Sequence, residues 1–324
     1  MRWSRLAWAS LGLPGLAGCL LSIDDARVGA SDDGGMLGRS TSDDAPAEAV
    51  ATGDGQGVAD TSGAMDATDA TTPGDAGAND APESGFDAEA DAPRCAAGMV
   101  AVTTAAGGSY CIGATEVTHG DYAVFLAAAP APTASNQLPE CAWNATYEPA
   151  QWNAGGDPAL PVGGLDWCDA YAYCASVPGR HLCGAIGGGP VEYQTGVFDA
   201  TQSEWFNACS HGGDDAFPYG ASYGPTACNG LDYGAGVAVQ AGSLATCVGG
   251  FPGLFDLSGN VEEWANSCTS ASSPCPAGTG HQCDLCRGLG GAYDTDASFL
   301  ACKGGDQFYR GTQLTDTGLR CCAN

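Results

Sequence analysis

The sequence predicts an α+β domain, loop-rich and disulfide-rich, carried behind a disordered acidic tether. Three observations lead there. Sixteen of the 17 cysteines fall between Cys95 and Cys322, an even number that suits a fully paired framework in an oxidising compartment. The stretch 20–94 consists mainly of Asp, Ala, Gly, Ser and Thr, with Phe86 its lone aromatic residue. It has no apolar period at 2.0 or 3.6 residues, so nothing in it offsets the entropy of ordering. From residue 95 onward, short helical and strand-like patterns alternate with glycine-rich loops.

The chain opens with a leader over 1–18. Arg2 and Arg5 form a positive n-region and Leu6 to Leu16 a short apolar core. That core is too short to span a bilayer as a stable helix. Leu16-Ala17-Gly18-Cys19 resembles the bacterial lipobox, which implies that Cys19 is acylated and becomes the mature N-terminus. Several acyl chains on one residue give a stable membrane anchor. The expectation is an exported protein, lipid-anchored to the cell envelope at the outer membrane or surface of a Gram-negative bacterium. Residues 19–94 then form the lipidated cysteine and a flexible linker, whose about 75 residues span roughly 50 Å as a coil. Thirty-eight acidic residues against ten Lys and Arg give a formal charge of -28. Such a surface repels phosphate backbones, which excludes nucleic acid as a partner.

The domain, residues 95–324, begins with strand-like pieces. A helix follows with Thr118 as N-cap and Asp121 three residues on, placing Tyr122, Phe125 and Leu126 on one face. His119 is expected as a surface residue at the start of that helix. Trp167, Ala170, Tyr171 and Cys174, at i, i+3, i+4 and i+7, predict a second helix with one buried face. Gly184 to Gly189 is glycine-rich but is not followed by Gly-Lys-Ser/Thr, so it is not a phosphate loop. Thr201 and Glu204 read as a capping box opening a third helix, with Trp205, Ala208 and Cys209 on one face.

The stretch Gly253–Cys268, GLFDLSGNVEEWANSC, concentrates an acid, two glycines, an asparagine, two glutamates and a tryptophan in one irregular segment. Its Gly259 permits a sharp turn that lets Asp256 and Glu263 converge. The segment resembles the GLYDMxGNVWEW signature of the formylglycine-generating enzyme (sulfatase-modifying factor) family. The resemblance extends in the family's order through EVTHGDYAVF, PVGGLDWCDAYAYC, TQSEWFNAC, FPYG, ACNG, GLGGAY and TGLRCC, nearly the whole of 95–324. It implies a C-type-lectin-like fold, poor in regular structure, with which three short helices and short strands agree.

The resemblance also implies a calcium site, with Asp256 and Glu263 as side-chain ligands and Gly259 and Val261 as carbonyl ligands. Asn229 and Gly230 match part of a second site. Calcium takes six to eight hard oxygens, and these residue types suit it. The alternative is a rigid turn held by hydrogen bonds to the carboxylates. The family's chemistry, copper- and oxygen-dependent conversion of a sulfatase cysteine to formylglycine, implies a cysteine pair two and seven residues after the aromatic of its GGSF motif. Counted from Tyr293, those positions hold Thr295 and Leu300, and Cys302 lies two residues beyond the second. Ala292 replaces the family's serine and Leu289 its arginine.

The departures fall where the chemistry belongs. The expectation is no copper, no catalytic residue, and a module that binds an unknown protein or glycan ligand; the competing expectation is the oxidoreductase. His119, His181, His211 and His281 form no HxxxH or HxE pair for a metal. His281, Cys283 and Cys286 lack a second C-x-x-C for structural zinc, which leaves disulfides. Adjacent Cys321 and Cys322 are expected to bond to two different partners.

Overall fold

The computed structural model describes residues 95–269 and 280–324. The leader, Cys19, the linker up to residue 94 and Cys275 lie outside the described residues. None of the described helices is long and apolar enough to cross a membrane.

Two four-stranded sheets frame the domain. The first runs β1 (Met99–Thr103), β2 (Ser109–Gly113), β8 (Cys321–Ala323), β3 (Arg180–Leu182), antiparallel throughout. The second runs β6 (Gln307–Tyr309), β5 (Leu285–Leu289), β4 (Glu262–Cys268), β7 (Thr317–Leu319), with β4 and β7 parallel. Strands β7 and β8 are separated by Arg320 alone, so the chain steps from one sheet to the other at that residue. Arg320 is 1 % exposed, a burial that a guanidinium tolerates only when its donors are satisfied.

Among the described residues, four α-helices pack around the sheets. Helix α1 (His119–Ala128) starts where expected: Thr118 Oγ1 accepts the Asp121 N–H at 3.1 Å. Tyr122 and Phe125 are buried, while His119 is half-buried and stacks on Trp152 at 4.1 Å. The surface position expected for His119 is therefore corrected; the loop carrying Trp152 covers it. Helix α2 (Trp167–Ser176) carries a capping box that sequence reading missed, in which Asp166 and Asp169 each accept the other's backbone N–H. Its buried set includes Tyr173, while Tyr171, expected on the buried face, is half-buried. Helix α3 (Glu204–Cys209) begins two residues later than the Thr201 box predicts. Ser203 is the N-cap, and its hydroxyl accepts the Phe206 N–H at 3.2 Å. Helix α4 (Ala297–Leu300) is a single turn that no periodicity announced.

Apolar side chains form two cores. One gathers α1, α2 and the near face of β4 around Tyr122, Leu165, Trp167 and Trp264. The other gathers β1, β2 and α3 around Tyr110, Ile112, Trp205 and Leu257. Among the described residues, seven disulfides staple the loops: Cys95–Cys111, Cys141–Cys168, Cys174–Cys321, Cys183–Cys322, Cys209–Cys302, Cys228–Cys247 and Cys268–Cys286. Cys321 and Cys322 do bond to different partners. They point to opposite faces of β8, as neighbours on a strand must. Such disulfide density in so loop-rich a domain is that of an exported protein.

Candidate functional site

The turn that opens β4 carries three residues in the left-handed region within five positions: Asp256 at φ 56°, Gly259 at 75° and Asn260 at 64°. Asp and Asn tolerate this conformation because short polar side chains bond back to nearby backbone. Here Asp256 Oδ2 accepts the Gly242 N–H at 2.6 Å. Asn260 Oδ1 accepts the Val239 N–H at 2.8 Å, and Asn260 Nδ2 donates to the Val239 carbonyl at 3.2 Å. Gly259 has no alternative, because a Cβ there would lie 2.4 Å from the Asn229 carbonyl oxygen. That same carbonyl accepts the Asn260 N–H at 2.8 Å.

Asn260 is the hub of a buried polar network. Its amide nitrogen also donates to Glu116 Oε1 at 2.9 Å, and its amide oxygen accepts from Asn229 Nδ2 at 3.0 Å. Glu116, just beyond β2, is 1 % exposed. Burial, then the charge of nearby Asp256, pushes its carboxyl well above the usual carboxylate range. Burial raises Asp256 as well. Sequence reading missed Glu116, although it is the glutamate of the EVT string that helped to identify α1.

Three residues after Asn260, the Glu263 side chain is buried, 1 % exposed. It takes a forked pair from Arg320, Nη2 to Oε1 at 2.8 Å and Nε to Oε1 at 3.0 Å and Oε2 at 3.1 Å. Trp205 Nε1 donates to Oε2 at 2.8 Å. Arg320 completes its shell with the carbonyls of Gly113 at 2.7 Å and Phe255 at 2.8 Å. One guanidinium thus ties the end of β2, the turn before β4 and β4 itself.

Calcium fits part of this set. Glu116 Oε2, Asp256 Oδ1 and Asn229 Oδ1 are buried oxygens with no hydrogen-bond donor, the hard-oxygen chemistry that calcium takes. Glu263 differs: the resemblance gives it a ligand role, whereas both its oxygens are held by Arg320 and Trp205. Gly230 meets the side chain of Leu300, where a Cβ would sit 2.3 Å from Cδ1.

At the positions matched to the family's cysteine pair, neither side chain carries sulfur. Thr295 is 2 % exposed, and its hydroxyl donates to the Ala292 carbonyl and accepts the Ala292 N–H, both at 2.9 Å. Leu300 is 2 % exposed and packs on Gly230. Cys302 is bonded to Cys209.

The scattered histidines find partners that spacing did not reveal. His181 Nε2 lies 2.9 Å and 3.0 Å from the two oxygens of fully buried Glu204, which also accepts the Gly184 N–H at 2.8 Å. The neighbouring sulfurs of Cys183 and Cys322 are bonded to each other and offer no thiolate to a metal. His281 Nδ1 meets Asp284 at 2.9 Å, and Cys286 of the same string is bonded to Cys268 across β4 and β5. Away from these clusters, a cavity of about 800 Å³ opens between α1 and α2, with Phe125, Leu138, Tyr147, Tyr171 and Tyr173 in its wall.

No curated protein sequence matches the chain. Among solved structures, the chain is similar to Treponema denticola variable protein 1 at 18% identity, over 67% of this chain and 84% of that one, with a TM-score of 0.42. It is similar to PvdO from Pseudomonas aeruginosa at 17% identity, over 69% and 82%, with a TM-score of 0.45. It is similar to CarF at 17% identity, over 66% and 86%, with a TM-score of 0.40. The model of the sulfatase-modifying factor enzyme 1-like domain matches residues 72–324, and the chain belongs to that family.

Proposed function

We propose that this protein is an exported lipoprotein, anchored through Cys19, whose family domain serves as a binding or structural module and not as a formylglycine-forming oxidase. One observation carries the reading: a hydroxyl and a hydrocarbon, Thr295 and Leu300, stand at the positions of the family's cysteine pair. Cys302, the nearest cysteine along the chain, is committed to Cys209. Cu(I) is a soft ion held by paired thiolates, and Thr295 offers it only a hard hydroxyl already engaged in its own turn. A protein or glycan ligand has an aromatic-walled surface available in the cavity between α1 and α2. The long acidic linker suits display away from the membrane.

The test incubates the purified full-length protein with a sulfatase-motif peptide, oxygen and Cu(I), and reads the peptide by mass spectrometry. The expected outcome is an unmodified cysteine and no tight copper binding. Aldehyde formation that disappears on mutating Cys302 or Cys286 would overturn the reading in favour of an oxidoreductase with relocated cysteines. For the anchor, Cys19→Ala is expected to release the protein from the membrane fraction or to block its processing; a variant that stays bound like the parent refutes acylation there.

A further inference from the structure

The cavity between α1 and α2 has rigid aromatic walls. The Phe125 ring lies 5.4 Å from that of Tyr147 and 5.5 Å from that of Tyr173. Tyr171 stacks on Trp167 at 5.2 Å, which fixes a fourth ring in the lining. The Cys141–Cys168 disulfide, also in the lining, ties the facing loop to α2. Walls held in this way lower the ordering cost of binding. Val124 carries the apolar lining out to solvent, where it is 70 % exposed.

The charge in this lining is negative. Asp121 contributes a carboxylate, and its field reaches the wall: burial first, and the Asp121 charge second, push the Tyr173 phenol up to about 12. Arg180, outside the lining, offsets part of that field. Gln137 Nε2 donates to the Asn144 carbonyl at 3.0 Å, which fixes the amide, and its Oε1 is then a buried acceptor with no donor. No cation lines the cavity. Arg310 and Arg320 are buried on Asp284 and Glu263, and Arg287 lies over the Tyr193 ring. After Cys95, twenty-one acidic residues stand against five Arg and Lys. Such a surface attracts a cationic partner and repels a second copy of itself.

We infer that this cavity docks a basic partner protein through an apolar segment that bears an arginine or lysine. The apolar side chains pack on Phe125, Tyr147 and Tyr171, and the cation is drawn to Asp121. Tyrosine faces add cation–π attraction, and an N–H entering from the cavity satisfies Gln137 Oε1. A neutral sugar fills an aromatic wall as well, but it leaves the Asp121 charge unanswered. The inference rests on the reading of the domain as a binding module and names the partner's chemistry.

The test titrates the full-length protein into three short fluorescein-labelled peptides and reads fluorescence polarisation at about 0.15 M salt. One peptide is built of leucine and arginine. The second has glutamine in place of arginine, and the third has glycine in place of leucine at the same charge. The acidic stretch 20–94 attracts any basic peptide, and the arginine–glycine peptide measures that background. The leucine–arginine peptide is expected to bind at least about tenfold more tightly than the arginine–glycine one, the effect of burying one leucine. It is expected to bind about threefold or more tightly than the glutamine one.

Ala172→Trp fills the cavity and should weaken the leucine–arginine peptide at least about tenfold. Asp121→Asn should weaken it about threefold and leave the glutamine peptide unchanged. If Ala172→Trp does not fold, Val124→Lys, at an exposed position, carries the test by repelling the basic peptide. Equal binding of all three peptides overturns the inference, and so do filled and charged variants that bind like the parent. Binding of cellohexaose that Ala172→Trp abolishes, with no preference for the leucine–arginine peptide, also overturns it while leaving the binding-module reading in place. Oxidation of the sulfatase-motif peptide strikes at that reading itself, through a separate measurement.

Discussion

Replacing Arg320 by methionine removes the residue on which both sheets converge, and the structure fixes what is left behind. Glu263 keeps its charge in a site where it is 1 % exposed, with Trp205 as its remaining donor. Breaking a buried ion pair on one side costs about 3–5 kcal/mol. The carbonyls of Gly113 and Phe255 lose their donor as well, at roughly 1 kcal/mol or more each. Arg320→Met is therefore expected to destabilise the domain by about 5–8 kcal/mol, a fall in Tm of roughly 10–25 °C. Glu263→Gln alone leaves the guanidinium unpaired and costs several kcal/mol by the same argument. In the double variant neither orphaned charge remains, so the two costs overlap by about 2–4 kcal/mol. Urea denaturation with disulfides intact and calcium held fixed measures all four corners of the cycle. An Arg320→Met cost below about 1 kcal/mol, or strict additivity, refutes the claim that this pair organises the two sheets.

Two further outcomes follow from other parts of the fold. At the start of α2, burial pushes Asp166 up to about 8 and Asp169 up to about 7, the neighbouring Asp169 charge adding to the first. Both lie above the unfolded value of about 3.9, so the native state holds protons that the unfolded chain has lost. The stabilisation they bring is complete below about pH 4 and is lost as pH rises toward 7–8, with a slope of up to about 1.4 kcal/mol per pH unit for each proton. Asp169→Asn is expected to flatten the decline of the urea midpoint between about pH 5 and 8, and an unchanged slope rejects the assignment. Gly259→Ala places a Cβ 2.4 Å from the Asn229 carbonyl oxygen, at a φ of 75°. The obstacle is backbone, which cannot swing aside, so a loss of at least about 2 kcal/mol is expected; a melting temperature within a degree of the parent would contradict it.

Much of the architecture was legible in the sequence because it is written in local rules. The Thr118 cap of α1 and the i, i+3, i+4, i+7 face of α2 depend on residues within two turns of one another. The cysteine count and the shift to Asp-, Ala- and Gly-rich composition before residue 95 need no coordinates either. The start of α3 was misread for the same reason: Thr201 and Ser203 are both good caps, and local chemistry does not choose between them. The tertiary structure chose, because fully buried Glu204 is drawn to His181 on β3 and to the Gly184 N–H, so it does not reach back to a cap.

By itself the sequence determined which residue types stand in the turn before β4, that the cysteines after Cys95 are even in number, and that no cysteine pair follows Tyr293 at the family's spacing. What it could not determine was which charges meet. Glu116, Asp256, Glu263 and Arg320 are spread over more than two hundred residues of chain, and no periodicity links them. Only the folded chain, by running directly from β7 of one sheet into β8 of the other, drives Arg320 between the sheets. Once there, the guanidinium takes both oxygens of Glu263 with its fork, because in a dry interior charge pairing outweighs motif. The buried Glu116 and Asp256 carboxyls are held instead by the Asn260 amide and the Gly242 N–H, partners that lie far from them in sequence.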